Sequence, residues 1–172
     1  SPFPSPDCLL TNSNGYGVTI AEHVIMVLLM LFRRMPEYEA VVRNRDWSNQ
    51  LAVRSIYENA FVILGTGNIG QTTAERLRGM GAAKITGLSR SGKGPDCFDE
   101  VRPITELDEI LPETRTLIMA LPGTPETRHI LDRRRIGLLP EGAYVVNVGR
   151  GSAIDQEALA EALNGGHLGG AA

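Results

Sequence analysis

Phe61-Val-Ile-Leu-Gly65-Thr-Gly67-Asn68-Ile69-Gly70, continuing Gln71-Thr-Thr-Ala-Glu-Arg-Leu77, is the stretch on which the fold turns. A short apolar run, too short for a helix, enters a glycine-rich turn, and the turn opens onto an amphipathic helical run. A lone G-x-G-x-x-G says little. Here the strand before it and the helix after it supply the setting of a dinucleotide-binding turn. In that setting Gly65 permits the tight turn, Gly67 lets the backbone approach a pyrophosphate, and Gly70 lets the helix pack close to the strand. The helix N-terminus, at Asn68 and Ile69, presents unpaired N–H groups and a positive dipole end to the phosphates. A kinase glycine loop would require V-A-I-K, H-R-D and D-F-G segments, and none is present.

Working outward, short apolar runs recur at Ala60–Leu64, Lys84–Leu88, Thr116–Leu121 and Ala143–Val148, each ending in a Gly, Ser or Pro turn. Helical stretches lie between and after them at Ile69–Met80, Ile104–Leu111, Asp132–Gly137 and Asp155–Leu163. Strand alternating with helix predicts an α/β fold of Rossmann type: a doubly wound parallel sheet with helices on both faces. Upstream, the proline-bearing residues 1–18 read as an extended lead-in, and residues 19–172 as the dinucleotide-binding domain. Thr19-Ile-Ala-Glu22 has the pattern of a capping box. It should start an almost wholly apolar helix to about Arg34, interrupted by Pro36. A helix apolar on most sides must be covered, much of its partner being expected outside this chain.

The end of the second strand bears on the choice of dinucleotide. An NAD site places Asp or Glu about 20 residues after the glycine turn, on the ribose hydroxyls. Here the strand ends in Ser89-Arg90-Ser91-Gly-Lys93, with no carboxylate. Hydroxyls and a guanidinium suit a 2′-phosphate, which favours NADP(H) over NAD(H).

Composition removes several other functions. The chain has 172 residues, 42% apolar and 22% charged, with a net charge of −3, so it has core enough for a domain and no general attraction to nucleic acid or anionic lipid. Aromatics at 5% supply no stacking platform for single-stranded bases. The apolar run Val24–Phe32 is far short of a membrane span and lacks the flanks of a signal peptide. Cys8 and Cys97 form no C-x-x-C pair, so neither a zinc site nor a disulfide framework is expected, and a reducing, cytoplasmic compartment fits best.

Two further segments narrow the reading: Ala120-Leu-Pro-Gly-Thr-Pro-Glu-Thr-Arg-His129, and Val145-Val-Asn-Val-Gly-Arg150-Gly-Ser-Ala-Ile-Asp155 with its continuation to Ala172. Together with the glycine turn and the early Ile20-Ala-Glu22 helix, they resemble the D-isomer-specific 2-hydroxyacid dehydrogenase family from about Asn12 onward. The resemblance implies hydride transfer between a nicotinamide cofactor and C2 of a small 2-keto or 2-hydroxy acid. It makes Arg150, at the N-x-x-R-G position, the catalytic arginine that binds the substrate carboxylate. It also sets Leu121, Pro122, Thr127, Val148 and Gly149 along the cofactor, although Thr127 by itself reads equally as a turn cap. It implies that the first long helix links two domains and helps build a homodimer.

The family's acid/base histidine and its glutamate are expected beyond Ala172, with most of the substrate domain outside the chain. None of His23, His129 and His167 matches the catalytic position, so this chain alone is expected to bind cofactor and turn over little substrate. A second possibility from the same resemblance is a cofactor-sensing, non-catalytic corepressor-like module, which would expose an aromatic or Met-rich groove; the sequence suggests none. A different Rossmann enzyme is argued against by the Asn147-Val-Gly-Arg150-Gly segment.

Overall fold

The computed structural model describes residues 15–47 and 51–172. Cys8 and most of the expected lead-in lie outside the described residues. Six parallel strands form the sheet: β1 (Ala60–Leu64), β2 (Lys84–Ser89), β3 (Glu100–Pro103), β4 (Thr116–Met119), β5 (Ala143–Asn147) and β6 (Leu168–Ala171). Their order across the sheet is β3-β2-β1-β4-β5-β6. Period-two alternation divides the apolar side chains between two faces. Phe61, Ile63, Ile85, Ile118, Tyr144 and Val146 point to one face. Val62, Leu64, Leu88, Leu117, Met119 and Val145 point to the other.

The first face is covered by α1 (Gly17–Phe32) and α3 (Asn68–Gly79), the second by α4 (Leu107–Ile110), α5 (Arg133–Leu138) and α6 (Gln156–Asn164). Asp132 and Asp155 cap α5 and α6, each accepting from a backbone N–H three residues on, at 2.8 and 3.0 Å. The expected helix at Ile104–Leu111 is a composite, α4 being flanked by 3-10 turns at Ile104–Glu106 and Leu111–Glu113, with Pro103 and Pro112 bracketing it.

The N-terminal helix departs from expectation in three ways. It begins at Gly17, so Thr19 lies inside the first turn and donates back to the Tyr16 carbonyl at 3.2 Å; the Thr19–Glu22 capping box does not form. The earlier start places Gly17 against Asn68: a Cβ on Gly17 would lie 2.0 Å from Asn68 Oδ1. Secondly, α1 buries one stripe, Ala21, Val24, Leu28 and Phe32, rather than its whole circumference; Met26 and Met30 remain about half exposed. Thirdly, the break falls at Arg34, whose φ is 52°, and Pro36 sits in the first turn of a second helix, α2 (Met35–Arg43). A proline lacks only an N–H that has no helical acceptor there. Among the described residues no helix is long and apolar enough to cross a membrane.

The turn between β1 and α3 is the tightest point of this face. A Cβ on Gly70 would lie 1.9 Å from the Gly65 carbonyl oxygen, a backbone atom that cannot swing aside. A Cβ on Gly67 would meet nothing within 4 Å. Gly70→Ala should therefore lower stability by about 3 kcal/mol, as overpacking against backbone does. Gly67→Ala should cost about 1 kcal/mol, the difference between glycine and alanine at an N-cap. Urea denaturation of the two variants checks this, and equal midpoints would contradict the packing argument.

Candidate functional site

In this strand order β1 and β4 are neighbours whose following connections depart to opposite faces: α3 covers the first, and the turns leading into α5 lie on the second. Such a switch point leaves a crevice at the carboxyl ends of the strands. Four loops meet along that edge. They are the glycine turn after β1, Arg90–Lys93 after β2, Leu121–Thr127 after β4, and Val148–Arg150 after β5.

Gly65 has φ +99°, and a Cβ there would stand 2.7 Å from the Ala120 carbonyl, so the loops after β1 and β4 approach each other at that residue. The first bond of α3 runs from Gln71 N–H to the Gly67 carbonyl at 2.8 Å. The N–H groups of Asn68, Ile69 and Gly70 thus precede the helix ladder. With open space at Gly67, this arrangement fits the phosphates of a dinucleotide. The Asn68 side chain lies against Gly17, so what Asn68 can offer a ligand is its backbone.

Beside this turn, Thr66, Ser89, Arg90, Ser91 and Lys93 line a cleft of about 340 Å³ that contains no acid. Ser89 differs from expectation. Its hydroxyl donates to the Lys93 carbonyl at 2.9 Å and accepts from the Lys93 N–H at 3.1 Å, closing its own loop. Thr66, a turn residue to which the glycine motif gives no role, lines the cleft as well. The Glu126 carboxyl is held below the ordinary carboxylate range, first by the Thr124 hydroxyl, then by its own backbone N–H and by the charge of Arg90.

After β4, Leu121 is buried in the core; a Cβ on Gly149 would lie 2.5 Å from the Leu121 carbonyl, and one on Gly65 would lie 3.4 Å from Leu121 Cδ2. Pro122 is exposed, and its carbonyl accepts from the Thr127 hydroxyl at 2.7 Å. Thr127 also accepts from the Thr124 N–H at 2.9 Å, so it is the staple of this turn. Val148 continues the sheet by donating to the Met119 carbonyl at 2.9 Å.

Arg150 follows on the exposed edge. Its loop is shaped by Asn147, a residue quoted in the sequence motif but given no role there. Asn147 Oδ1 accepts from the Gly149 N–H, and Asn147 Nδ2 donates to the Arg150 carbonyl, both at 3.0 Å. The histidines are scattered. His23 is exposed on α1. His167 borders the opposite, amino-terminal edge of the sheet and contacts the Ile136 carbonyl at 3.1 Å. The His129 N–H donates to the Ser152 carbonyl at 2.8 Å.

An open parallel sheet with a glycine turn at its switch point defines a dinucleotide-binding α/β domain of Rossmann type. Residues 25–172 match the family described as D-isomer specific 2-hydroxyacid dehydrogenase, NAD binding domain, and the chain belongs to that family. It is 32% identical over 166 residues to a D-lactate dehydrogenase of Treponema pallidum, covering 95% of this chain and 49% of that protein. Among solved structures it is similar to a D-isomer specific 2-hydroxyacid dehydrogenase of Xanthobacter autotrophicus in complex with NADPH and MES. There the TM-score is 0.84 at 29% identity, over 99% of this chain and 70% of that one. It is similar also to the Aquifex aeolicus D-lactate dehydrogenase complexed with NAD and lactic acid, with a TM-score of 0.82 at 29% identity over 90% of this chain and 46% of that one. The chain spans about half the length of the curated relatives it matches. These comparisons lend no support to a corepressor-like module.

Asn147→Asp keeps the acceptor for Gly149 and loses the donor to Arg150, so it should cost about 1 kcal/mol, one hydrogen bond. Asn147→Ala should cost about 2 kcal/mol. Thermal unfolding of both variants checks the order, and an Asp variant as unstable as the Ala variant would contradict it.

Proposed function

We propose that this domain binds a nicotinamide dinucleotide, NADP(H) in preference to NAD(H), for the reduction of a 2-keto acid or the oxidation of a D-2-hydroxy acid. The observation that carries the reading is that Arg150 stands on the same sheet edge as the glycine turn, with its loop held by Asn147. The N–H groups after Gly67 receive the pyrophosphate. Arg90 and Lys93, with Thr66 and Ser91, receive the 2′-phosphate. Leu121, Pro122, Thr127, Val148 and Gly149 form the wall along the rest of the cofactor. When bound, the dinucleotide supplies the hydride that is exchanged with C2 of the acid. Arg150 pairs its planar fork with the carboxylate and fixes the orientation of C2.

No histidine of this chain is assigned the proton transfer, which falls in this reading to a substrate domain of a longer protein. Residues 19–172, with Gly17 and Val18 added, make up the dinucleotide-binding domain. The outward apolar side of α1, at Met26 and Met30, is the face assigned to a homodimer, and a reducing, cytoplasmic setting suits the free thiol of Cys97.

Fluorescence titration should give at least about tenfold tighter binding of NADPH than of NADH, a difference of about 1.4 kcal/mol. Arg90→Ser should bring the two affinities together. Equal or reversed affinities in the unaltered protein would refute the preference. In the two-domain protein, Arg150→Gln should lower kcat/KM for 2-keto acids by about 10²–10³-fold, the cost of removing one partner of a desolvated ion pair. Cofactor affinity should stay within about twofold. An unchanged kcat/KM would overturn the role of Arg150.

A further inference from the structure

The glycine turn and the loop after β2 account for a dinucleotide, and Arg150 for one carboxylate. Arg128 has no place in that scheme. It follows Thr127 on the turn after β4, and together with Arg150 it lines a single cleft of about 390 Å³ walled by Gly123, Thr124, Pro125 and Ser152. Two guanidinium groups sharing one cleft repel each other unless an anion lies between them. Among the described residues no carboxylate stands within ion-pair distance of either. By contrast Arg133, Arg134 and Arg135, a few positions on, are each paired with Glu161 or Asp108.

The juxtaposition is built into the backbone. The His129 N–H donates to the Ser152 carbonyl at 2.8 Å, Leu131 N–H to Ala153 at 3.0 Å, and Asp155 N–H to Leu131 at 3.0 Å. These bonds fasten the segment that carries Arg128 to the segment that follows Arg150. Thr127 fixes the turn on one side of the cleft and Asn147 the loop on the other. The stem of Arg150 lies along the turn, since a Cβ on Gly123 would stand 2.9 Å from Arg150 Cγ.

Resting on the reading that Arg150 holds the substrate carboxylate, the geometry points to Arg128 as a specificity-determining residue that holds a second anionic group of the same substrate. The acid this cleft selects is a dianion, a 2-keto acid with a second carboxylate or a phosphate. A guanidinium pairs with either group through charge-assisted hydrogen bonds, and the Ser152 hydroxyl adds a further donor.

The test is binding to this chain at saturating NADPH or NADH, followed by NMR shift titration. Two matched pairs serve as probes: 2-oxoglutarate against 2-oxopentanoate, and phosphohydroxypyruvate against hydroxypyruvate. Each dianion is expected to bind at least about tenfold more tightly than its monoanion. The larger ratio identifies the carboxylate or the phosphate as the second group. Arg128→Gln should bring both ratios to within about twofold of unity while leaving monoanion and cofactor affinities unchanged, and Arg128→Lys should retain part of the preference. Equal binding of dianion and monoanion by the unaltered protein would overturn the proposal. So would a ratio that survives Arg128→Gln, or a matching loss of cofactor affinity in that variant. Arg150→Gln separates the two levels: it should weaken monoanions too, and monoanion binding that survives it would strike at the role of Arg150 itself.

Discussion

The carbonyl oxygen of Gly65 occupies the space in which a side chain at residue 70 would begin. That contact sets how closely α3 leaves β1, and much else is arranged around it. As at the start of any α-helix, the N–H groups of its first turn are free of the helix ladder, and here they open onto the sheet edge. Its side then receives α1, whose Gly17 abuts Asn68. One whole face of the sheet, from Val24 and Phe32 to Phe61 and Tyr144, is packed in consequence.

The second constraint is the all-parallel sheet. Every strand ends at the same edge, so loops far apart in sequence deliver their polar residues to one crevice. What differs among them is how firmly they are held. Asn147 and Thr127 each use one side chain to satisfy two groups of their own loop, which orders the backbone without regular structure. The loop after β2 is closed by Ser89 in the same manner.

That economy marks the limit of what the sequence discloses. The core strands, the glycine turn and α3 are legible because their information is local: consecutive apolar residues, then glycines at fixed spacing, then an amphipathic run. Edge strands are not. Glu100–Pro103 carries charge on an exposed rim, and Leu168–Ala171 has two glycines, so neither displays the apolar run that marks β1 or β5. The Thr19–Glu22 capping box does not form because the helix starts at Gly17, two residues before Thr19, and that earlier start sets Gly17 against Asn68 of a distant segment. Ser89 read as a ligand donor because its competing partner, the backbone of Lys93, is visible only once the loop is folded. Arg150 was singled out through its contiguous motif, and its role rests on that resemblance. Arg128 stood in a quoted segment without a role, since its proximity to Arg150 depends on two loops meeting in space.

Three backbone hydrogen bonds join the segments 129–131 and 152–155, and Leu131 and Ile154 form a parallel bridge there. An insertion within either of these segments would throw the shared ladder out of register, so the backbone that backs the two cleft loops is held fixed. Diversification at this place is thereby channelled into side chains at a constant backbone. A lineage carrying this domain could trade one acid for another by point substitution at positions such as 128 or 152, with no remodelling of the scaffold that presents them.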